Sequence, residues 1–548
     1  MVVAYFSAEI GLWSDLHTYS GGLGVLAGDH VKSAADGGVN LVAVTLLYRE
    51  GYGRQHLDSK GNQSETYPEI DPSEHLTDTG IELALPLDDT TLNARVWVTQ
   101  VAGTSGHVVP VYFIDTRHDL NKPEHAALGN RLYGGDDSTR LRQEYLLGVG
   151  GIRILKALGE WPLKGLHLNE GHCTFAAIEM LSQGWTLAEL SRKTLFTTHT
   201  PVPAGHDRFS WQDVDAVVGN LLPENVRSFD GCEESCSMSH LAIALAGQVN
   251  AVSNLNAWVA STMFEGTHIE PITNGVHHLT WTTPPMKEIF DEHLHGWRND
   301  PAILSHAGKI PDSALISARQ QARAVLRDLV NASTGVELHE DRLTIGFARR
   351  FATYKRANLV FSDLERLRKI GAGKIQFVFA GKAHSRDEGG KQLIRDIFAG
   401  AEQISDEIPV AFLEDYSMAT GLAITGGVDI WLNNPVRPME ASGTSGMKAA
   451  MNGVPNFSIL DGWWPEACEH GVNGWAIGKA EDDRDDQRDV DSLYSVLENE
   501  VLQAWTVGEE RWAHLMRAAI ATSARFTGAR MISDYVHFYD SFSHDDSD

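Results

Sequence analysis

The stretch Val2-Val-Ala-Tyr-Phe-Ser-Ala-Glu-Ile10, the turn Thr18-Tyr-Ser-Gly21-Gly22-Leu23-Gly24 and the run VLAGDHVKSAADGG (25–38) together decide the fold. The first is an apolar strand, the second a glycine-rich turn and the third a helix. NLVAVTLLY (40–48) follows as another buried strand. Strand, loop, helix and strand in this order make an α/β unit with a parallel sheet. The rhythm continues through VWVTQVAG (96–103) and VVPVYFID (108–115), both β segments, and LRQEYLLGVGGIRILKALG (141–159), a long helix. LKGLHLNEG (163–171) and TLFTTHTPVPAG (194–205) are strands ending in polar loops. A second series opens at RLTIGFARR (342–350) and runs through KIQFVFAGKA, IPVAFLED, VDIWLNNP and VPNFSIL.

Two domains follow. The 548 residues exceed one ordinary core. We place the first domain at 1–275 and the second at 276–525, with the boundary near Asn274-Gly275 and a Trp- and Pro-rich helical connector over about 276–340. The long amphipathic segment 509–542, with a Thr-Gly break, supplies a C-terminal helix (about 526–548) expected to pack back on the first domain. Parallel-sheet domains bind ligands at the carboxyl ends of their strands, which puts the expected site in the cleft between them.

The formal net charge of −28 argues against nucleic acid and against anionic membrane surfaces as partners. The N-terminus MVVAYFSAEIGLWSDL has no basic or long apolar run, so no secretory signal or membrane span, and a cytoplasmic protein, are expected. Four cysteines make no disulfide framework, and Cys232 and Cys236 lack a second pair for zinc, so free thiols are expected. HLNEGH (167–172) has no i, i+4 histidine pair, and no metal site is expected. The acidic run EDDRDDQRDVD (481–491) and the tail HDDSD (544–548) suit solvated or disordered segments.

Three patterns carry chemistry. The turn Gly21–Gly24 offers unhindered N–H groups at a helix N-terminus, fit for a phosphate or a sugar oxygen. It is neither a Walker loop nor a dinucleotide fingerprint, and most such turns are structural. Arg349, Arg350, Lys355 and Arg356 crowd four cations into eight residues at a strand end, ahead of a helix expected near Tyr354. A basic helix start opposes the macrodipole, which favours an anion there. Finally, Glu440-Ala-Ser-Gly-Thr-Ser-Gly-Met-Lys448 combines a carboxylate, small residues and a lysine that can hold an aldehyde as a Schiff base. The residues alone leave open a plain loop-to-helix junction.

YFSAEIGL, YSGGLGVLAGDH, HLNEGH, TTHTPVPAG, ITNGVH, GFARRFATYKR, FAGKAH, FLEDY and EASGTSGMKAAMNG, in this order, resemble the glycogen/maltodextrin (α-glucan) phosphorylase family, closest to its short bacterial form. The resemblance implies two Rossmann-like domains facing across a cleft, the GT-B type glycosyltransferase fold, and pyridoxal 5′-phosphate as cofactor. It implies phosphorolysis of an α-glucan (glycogen or maltodextrin) by inorganic phosphate to glucose 1-phosphate with retention, the cofactor 5′-phosphate relaying a proton. Homodimers are the family's common assembly. By the same resemblance Lys448 anchors the cofactor, with Arg349, Lys355 and Tyr416 around it, and Arg350 meets substrate phosphate. Gly21, Gly22, Leu23 and Gly24 face the donor phosphate, His199 and Asn274 lie around the sugar 6-hydroxyl, and Glu440, Ser442 and Gly443 bind the 3- and 4-hydroxyls.

A nucleotide-sugar glucosyltransferase of the glycogen or starch synthase type shares the implied fold. Synthases carry a lysine just before the GGL turn, where this chain has Tyr19 and Ser20, and a second Glu eight positions after the first, where it has Lys448. The regulatory N-terminal extension and effector insertions of the long enzymes are expected to be missing. His206 and the acidic loop 481–491 receive no role from the sequence.

Overall fold

A computed structural model describes residues 1–480 and 484–542; residues 481–483 of the acidic run and the tail 544–548 lie outside them. The chain divides into two compact units. The first comprises Met1–Gly53, Tyr67–Thr273 and the segment from Met531 onward; the second comprises Arg54–Thr66 and Asn274–Arg530.

The first unit is built on a nine-stranded sheet. Val2–Ser7 lies in the middle, paired in parallel with Leu41–Leu46 on one side and Leu163–Asn169 on the other. Val108–Asp115 extends one side, while Thr194–Thr198, Gln248–Ala251 and Glu270–Pro271 extend the other. Two antiparallel strands, Thr90–Ala102 and Thr77–Leu87, complete one edge. Alternate residues of the central strands enter different cores, as period-two geometry requires. Ala4, Phe6, Val42 and Val44 join one apolar cluster; Val3, Tyr5, Leu41 and Ala43 join the other. The second cluster also takes Met531, Ile532, Tyr535, Tyr539 and Phe542.

The second unit is a six-stranded parallel sheet in the order Val410–Leu413, Ile375–Ala380, Leu343–Ala348, Ile430–Asn433, Asn456–Ile459, Gly474–Ile477. Numbered along the chain this is 3-2-1-4-5-6, the Rossmann order, and the six central parallel strands of the first unit repeat it. In each unit the strand order reverses beside its first strand, and ligands of such sheets bind at the carboxyl end of that point. Two Rossmann-like α/β units in one chain are the make-up of the GT-B fold class. No helix among the described residues is long and apolar enough to cross a membrane.

Three local expectations change. The helix expected near Tyr354 is a single 3₁₀ turn, Thr353–Lys355, ended by Arg356 in the left-handed region at φ +47°; an α-helix begins only at Leu364. The macrodipole argument for an anion therefore loses its helix. The acidic run opens a helix at Asp485. That residue caps the helix Asp486–Val496 by accepting from the Arg488 N–H, and Asp486 and Asp489 sit in its first turn, where negative charge complements the dipole. The helix read over 141–159 is interrupted by a π turn, Leu146–Gly150. Gly148 there packs so closely that a Cβ would lie 2.4 Å from the Ala176 nitrogen.

Candidate active site

In the first unit the polar residues gather at the switch point between Val2–Ser7 and Leu163–Asn169. The Asn169 side-chain amide donates to the Ser7 hydroxyl at 3.0 Å, and its Oδ1 lies 2.7 Å from His199 Nε2. Glu170 follows at φ +76°, ψ 167°, a conformation natural only to glycine. Such strain costs about 1–3 kcal/mol. It is offset because the buried carboxylate accepts from the N–H groups of His199 (2.6 Å), Thr200 (2.9 Å) and Gly171 (3.1 Å), and from the Thr200 hydroxyl. Hydrogen bonds to a charged acceptor contribute about 1.5–3 kcal/mol each. Burial alone would raise the Glu170 pKa, but His199, His206 and His172 overcome it and hold the carboxyl below its ordinary range. Burial also holds His199 low, only partly opposed by Glu170, and pushes His172 down to about 4, helped by Arg140. His206 bonds the Ser239 hydroxyl (2.7 Å) and the Thr200 carbonyl (3.1 Å), so it fastens the loop carrying His199.

The glycine turn lies beside this set. Glu9 accepts from the Ser20 N–H at 2.6 Å and from the Tyr133 hydroxyl at 2.7 Å. Four glycines of this region, Gly21, Gly22, Gly24 and Gly28, differ in their surroundings. A Cβ on Gly28 would fall 1.8 Å from the Gly11 carbonyl oxygen, and one on Gly24 2.6 Å from the Glu9 carboxylate. Gly21 and Gly22 would meet nothing within 4 Å, and neither has a positive φ. No internal contact accounts for them, and their open surroundings leave the backbone N–H groups accessible.

In the second unit the cations and carboxylates converge at its own switch point. Arg349 follows the strand Leu343–Ala348 directly, and its guanidinium bonds the Asn433 side chain at the end of the neighbouring strand and Glu440 at 2.7 Å. Lys355 Nζ lies 3.2 Å from Glu440 Oε2. All three side chains are buried. Burial would raise the Glu440 pKa, but Arg349 and Lys355 lower it to about 2, so the group is a permanent carboxylate and accepts only. Tyr416 is pushed up to about 12 by burial, against the nearby Arg349. Ser442 Oγ and Asn274 Oδ1 are buried without a protein partner among the described residues. Arg350 is exposed.

Gly443, in the left-handed region at φ +86°, starts the helix Thr444–Met451, and Lys448 is its fifth residue. Lys448 is buried, and its ammonium sits 3.5 Å over the Trp281 ring centroid. Asn452 holds that ring's backbone in place: its amide donates to the Trp281 carbonyl at 2.6 Å and accepts from the Thr283 N–H at 2.8 Å. Reasoning from sequence missed Asn452, Trp281, Glu9 and Asp461, although Glu9 and Asn452 stood in quoted motifs. A buried lysine, two further buried cations and an unpartnered buried hydroxyl in one unit fit a group bearing an aldehyde and a phosphate.

Arg356 points elsewhere. It pairs with Asp486 (2.9 Å) and Asp489 (2.7 Å) and donates to the carbonyls of Asn434 (3.0 Å) and Pro435 (2.7 Å). So the four clustered cations are not one anion site: Arg349 and Lys355 serve Glu440, and Arg356 serves the acidic helix start. His199 belongs to the first unit and Asn274 to the second.

Comparison with known proteins agrees with this chemistry. A family model described as carbohydrate phosphorylase matches residues 209–471. The chain is 38% identical to a maltodextrin phosphorylase of Thermococcus litoralis, over 97% of this chain and 70% of that one. It is 37% identical to a glycogen phosphorylase of Mycobacterium tuberculosis (98% and 70%) and 33% identical to one of Aquifex aeolicus (98% and 86%). With two Rossmann-order units, a buried lysine eight residues after a buried carboxylate and these relatives, the chain belongs to the carbohydrate phosphorylase family.

Proposed function

We infer that this protein is an α-1,4-glucan phosphorylase, which transfers the non-reducing-end glucose of a glycogen or maltodextrin chain to inorganic phosphate. The bond from glucose C1 to the glucan oxygen breaks, a C1–O–phosphate bond forms with retention, and the released glucan oxygen takes up a proton. The observation that carries the reading is the pair Glu440 and Lys448. The carboxylate is held ionised by Arg349 and Lys355, and the lysine is buried over Trp281 where a synthase would need a carboxylate. The synthase-type alternative is disfavoured by that residue and by the relatives' names.

Pyridoxal 5′-phosphate fits the second unit, with Lys448 for its carbonyl carbon and Lys355, Arg349 and Tyr416 around it. When bound, it supplies a phosphate able to give and take a proton near neutral pH. The chain's own residues do the rest. Arg350 and Lys355 offset the repulsion between two phosphate groups held close together. The N–H groups of Gly21–Gly24 supply donors to the donor-sugar phosphate. Glu440 accepts from sugar 3- and 4-hydroxyls, with Ser442 and Gly443 beside it. His199 and the unpartnered Asn274 Oδ1 suit the 6-hydroxyl. No paired carboxylates of the glycosidase kind are needed, because phosphate is the nucleophile. We place the enzyme in the cytoplasm as a homodimer, with neither nucleic acid nor membrane as partner.

The deciding assay is phosphate-dependent release of glucose 1-phosphate from maltodextrin. Consumption of ADP-glucose or UDP-glucose, with no such release, would sink the proposal. Borohydride treatment should leave a pyridoxyl group on Lys448 in a peptide map.

A further inference from the structure

Glu440 and Ser442 lie on an irregular loop, yet sugar recognition requires a carboxylate fixed to within a fraction of an ångström. The segment Asp461–Trp463, which follows the strand Asn456–Ile459, supplies the fixture. Asp461, fully buried, accepts from the Glu440 N–H through Oδ2 at 2.9 Å and from the Gly462 N–H through Oδ1 at 2.8 Å. The Trp463 N–H donates to the Ser442 carbonyl at 2.8 Å. Gly462 stands at φ +59°, and a Cβ there would lie 2.2 Å from the Ser442 oxygen and 3.1 Å from Glu440 Cγ. Three consecutive residues of one strand end thus grip the backbone of the other loop at both ends of Glu440–Ser442.

We propose that Asp461 is a positioning residue for phosphorolysis, which holds the Glu440 backbone so that its carboxylate meets the sugar hydroxyls. It touches neither sugar nor phosphate and acts through Glu440. Electrostatics speak against a simpler role as charge support. Burial and the neighbouring Glu440 carboxylate push Asp461 up to about 7, so its charge is tolerated at a cost. A buried carboxyl kept despite that cost is explained by the two N–H groups it accepts, since leaving either unpaired is expensive.

The inference rests on the reading of Glu440 as the sugar-binding carboxylate, and the test separates the two. Asp461→Asn keeps the shape, accepts from one N–H and turns an amide N–H toward the other. It also removes a negative charge beside Glu440, which favours the Glu440 carboxylate, so lost activity cannot come from Glu440 protonation. In the holoenzyme, Asp461→Asn should lower kcat/KM for maltodextrin by about tenfold while KM for phosphate moves by less than about twofold. In a Glu440→Gln background the same change should cost less than about twofold, because the residue it positions is gone. An equal cost in both backgrounds, or none in either, overturns the proposal. Glu440→Gln without effect on maltodextrin kinetics would instead remove the reading of Glu440 beneath it. If Asp461→Asn does not fold, Gly462→Ala presses on the same loop from its other end, and the same non-additivity with Glu440→Gln is expected; simple additivity overturns the proposal again.

Discussion

The two units share a strand order and differ in what stands at the place where that order reverses. In the first, the reversal carries buried imidazoles, a strained glutamate fastening a loop, and two glycines that no internal contact explains. In the second, it carries a buried carboxylate between an arginine and a lysine, with a buried lysine on the following helix. Fold alone does not choose chemistry. The same scaffold yields a set of donors in one unit and a set of fixed charges in the other, because the loops after equivalent strands differ.

The contrast breaks most sharply at Lys448. Lys448→Ala should lower activity by roughly a thousandfold or more and leave protein without bound cofactor, read from the absorbance of purified protein, while the fold measured by circular dichroism persists. An active variant would end the assignment of fixed charges to the second unit. Next comes Arg350→Ala, expected to raise KM for phosphate by about 10–100-fold with a smaller change in KM for glucan. Equal changes in both would make Arg350 a general support and not a phosphate ligand. The glycines of the first unit give a paired test. Gly22→Ala should cost about tenfold in kcat/KM with Tm nearly unchanged, whereas Gly28→Ala should lower Tm by several degrees, since overpacking costs about 1–3 kcal/mol. If both act on Tm alone, the open glycines are not for a ligand.

The smallest effect belongs to the acidic helix start. Asp486→Asn together with Asp489→Asn leaves Arg356 with its two carbonyl partners and removes its carboxylates. We expect a loss of about 1 kcal/mol in stability, shrinking in high salt because Asp486 is half exposed. A salt-independent loss of several kcal/mol would show that the fixed charges of the second unit extend to this pair.

The strands were legible because continuous apolar runs such as NLVAVTLLY and RLTIGFARR admit few other readings. The break at Thr527-Gly528 was legible for the same kind of reason, and the structure has a helix on either side of it. The hairpin Arg54–Leu57 with Gln63–Thr66 was not. Its strands are polar on both faces, and it is held by side-chain amide hydrogen bonds, Gln55 donating to the Gly381 carbonyl (2.9 Å) and Gln63 to the Ala383 carbonyl (2.9 Å). Lys448 and Glu440 were visible as a spaced pair, but Asp461 was not. A lone aspartate before a glycine reads as a turn, and only the folded chain shows it accepting the Glu440 N–H twenty-one residues away.

The buried hydroxyls of Tyr535 and Tyr539 bear on the order in which the molecule is made. Tyr539 bonds His30 (3.1 Å) and His167 (2.7 Å), and Tyr535 accepts from Asn250 (3.1 Å). Those partners leave the ribosome hundreds of residues before the tyrosines do. Until residues 535–539 emerge, the sheet of the first unit keeps two imidazoles and an amide without their final partners, and one face lacks Met531, Ile532 and Phe542. Translation must therefore run through the segment Asn274–Arg530 before the core of the first unit can close.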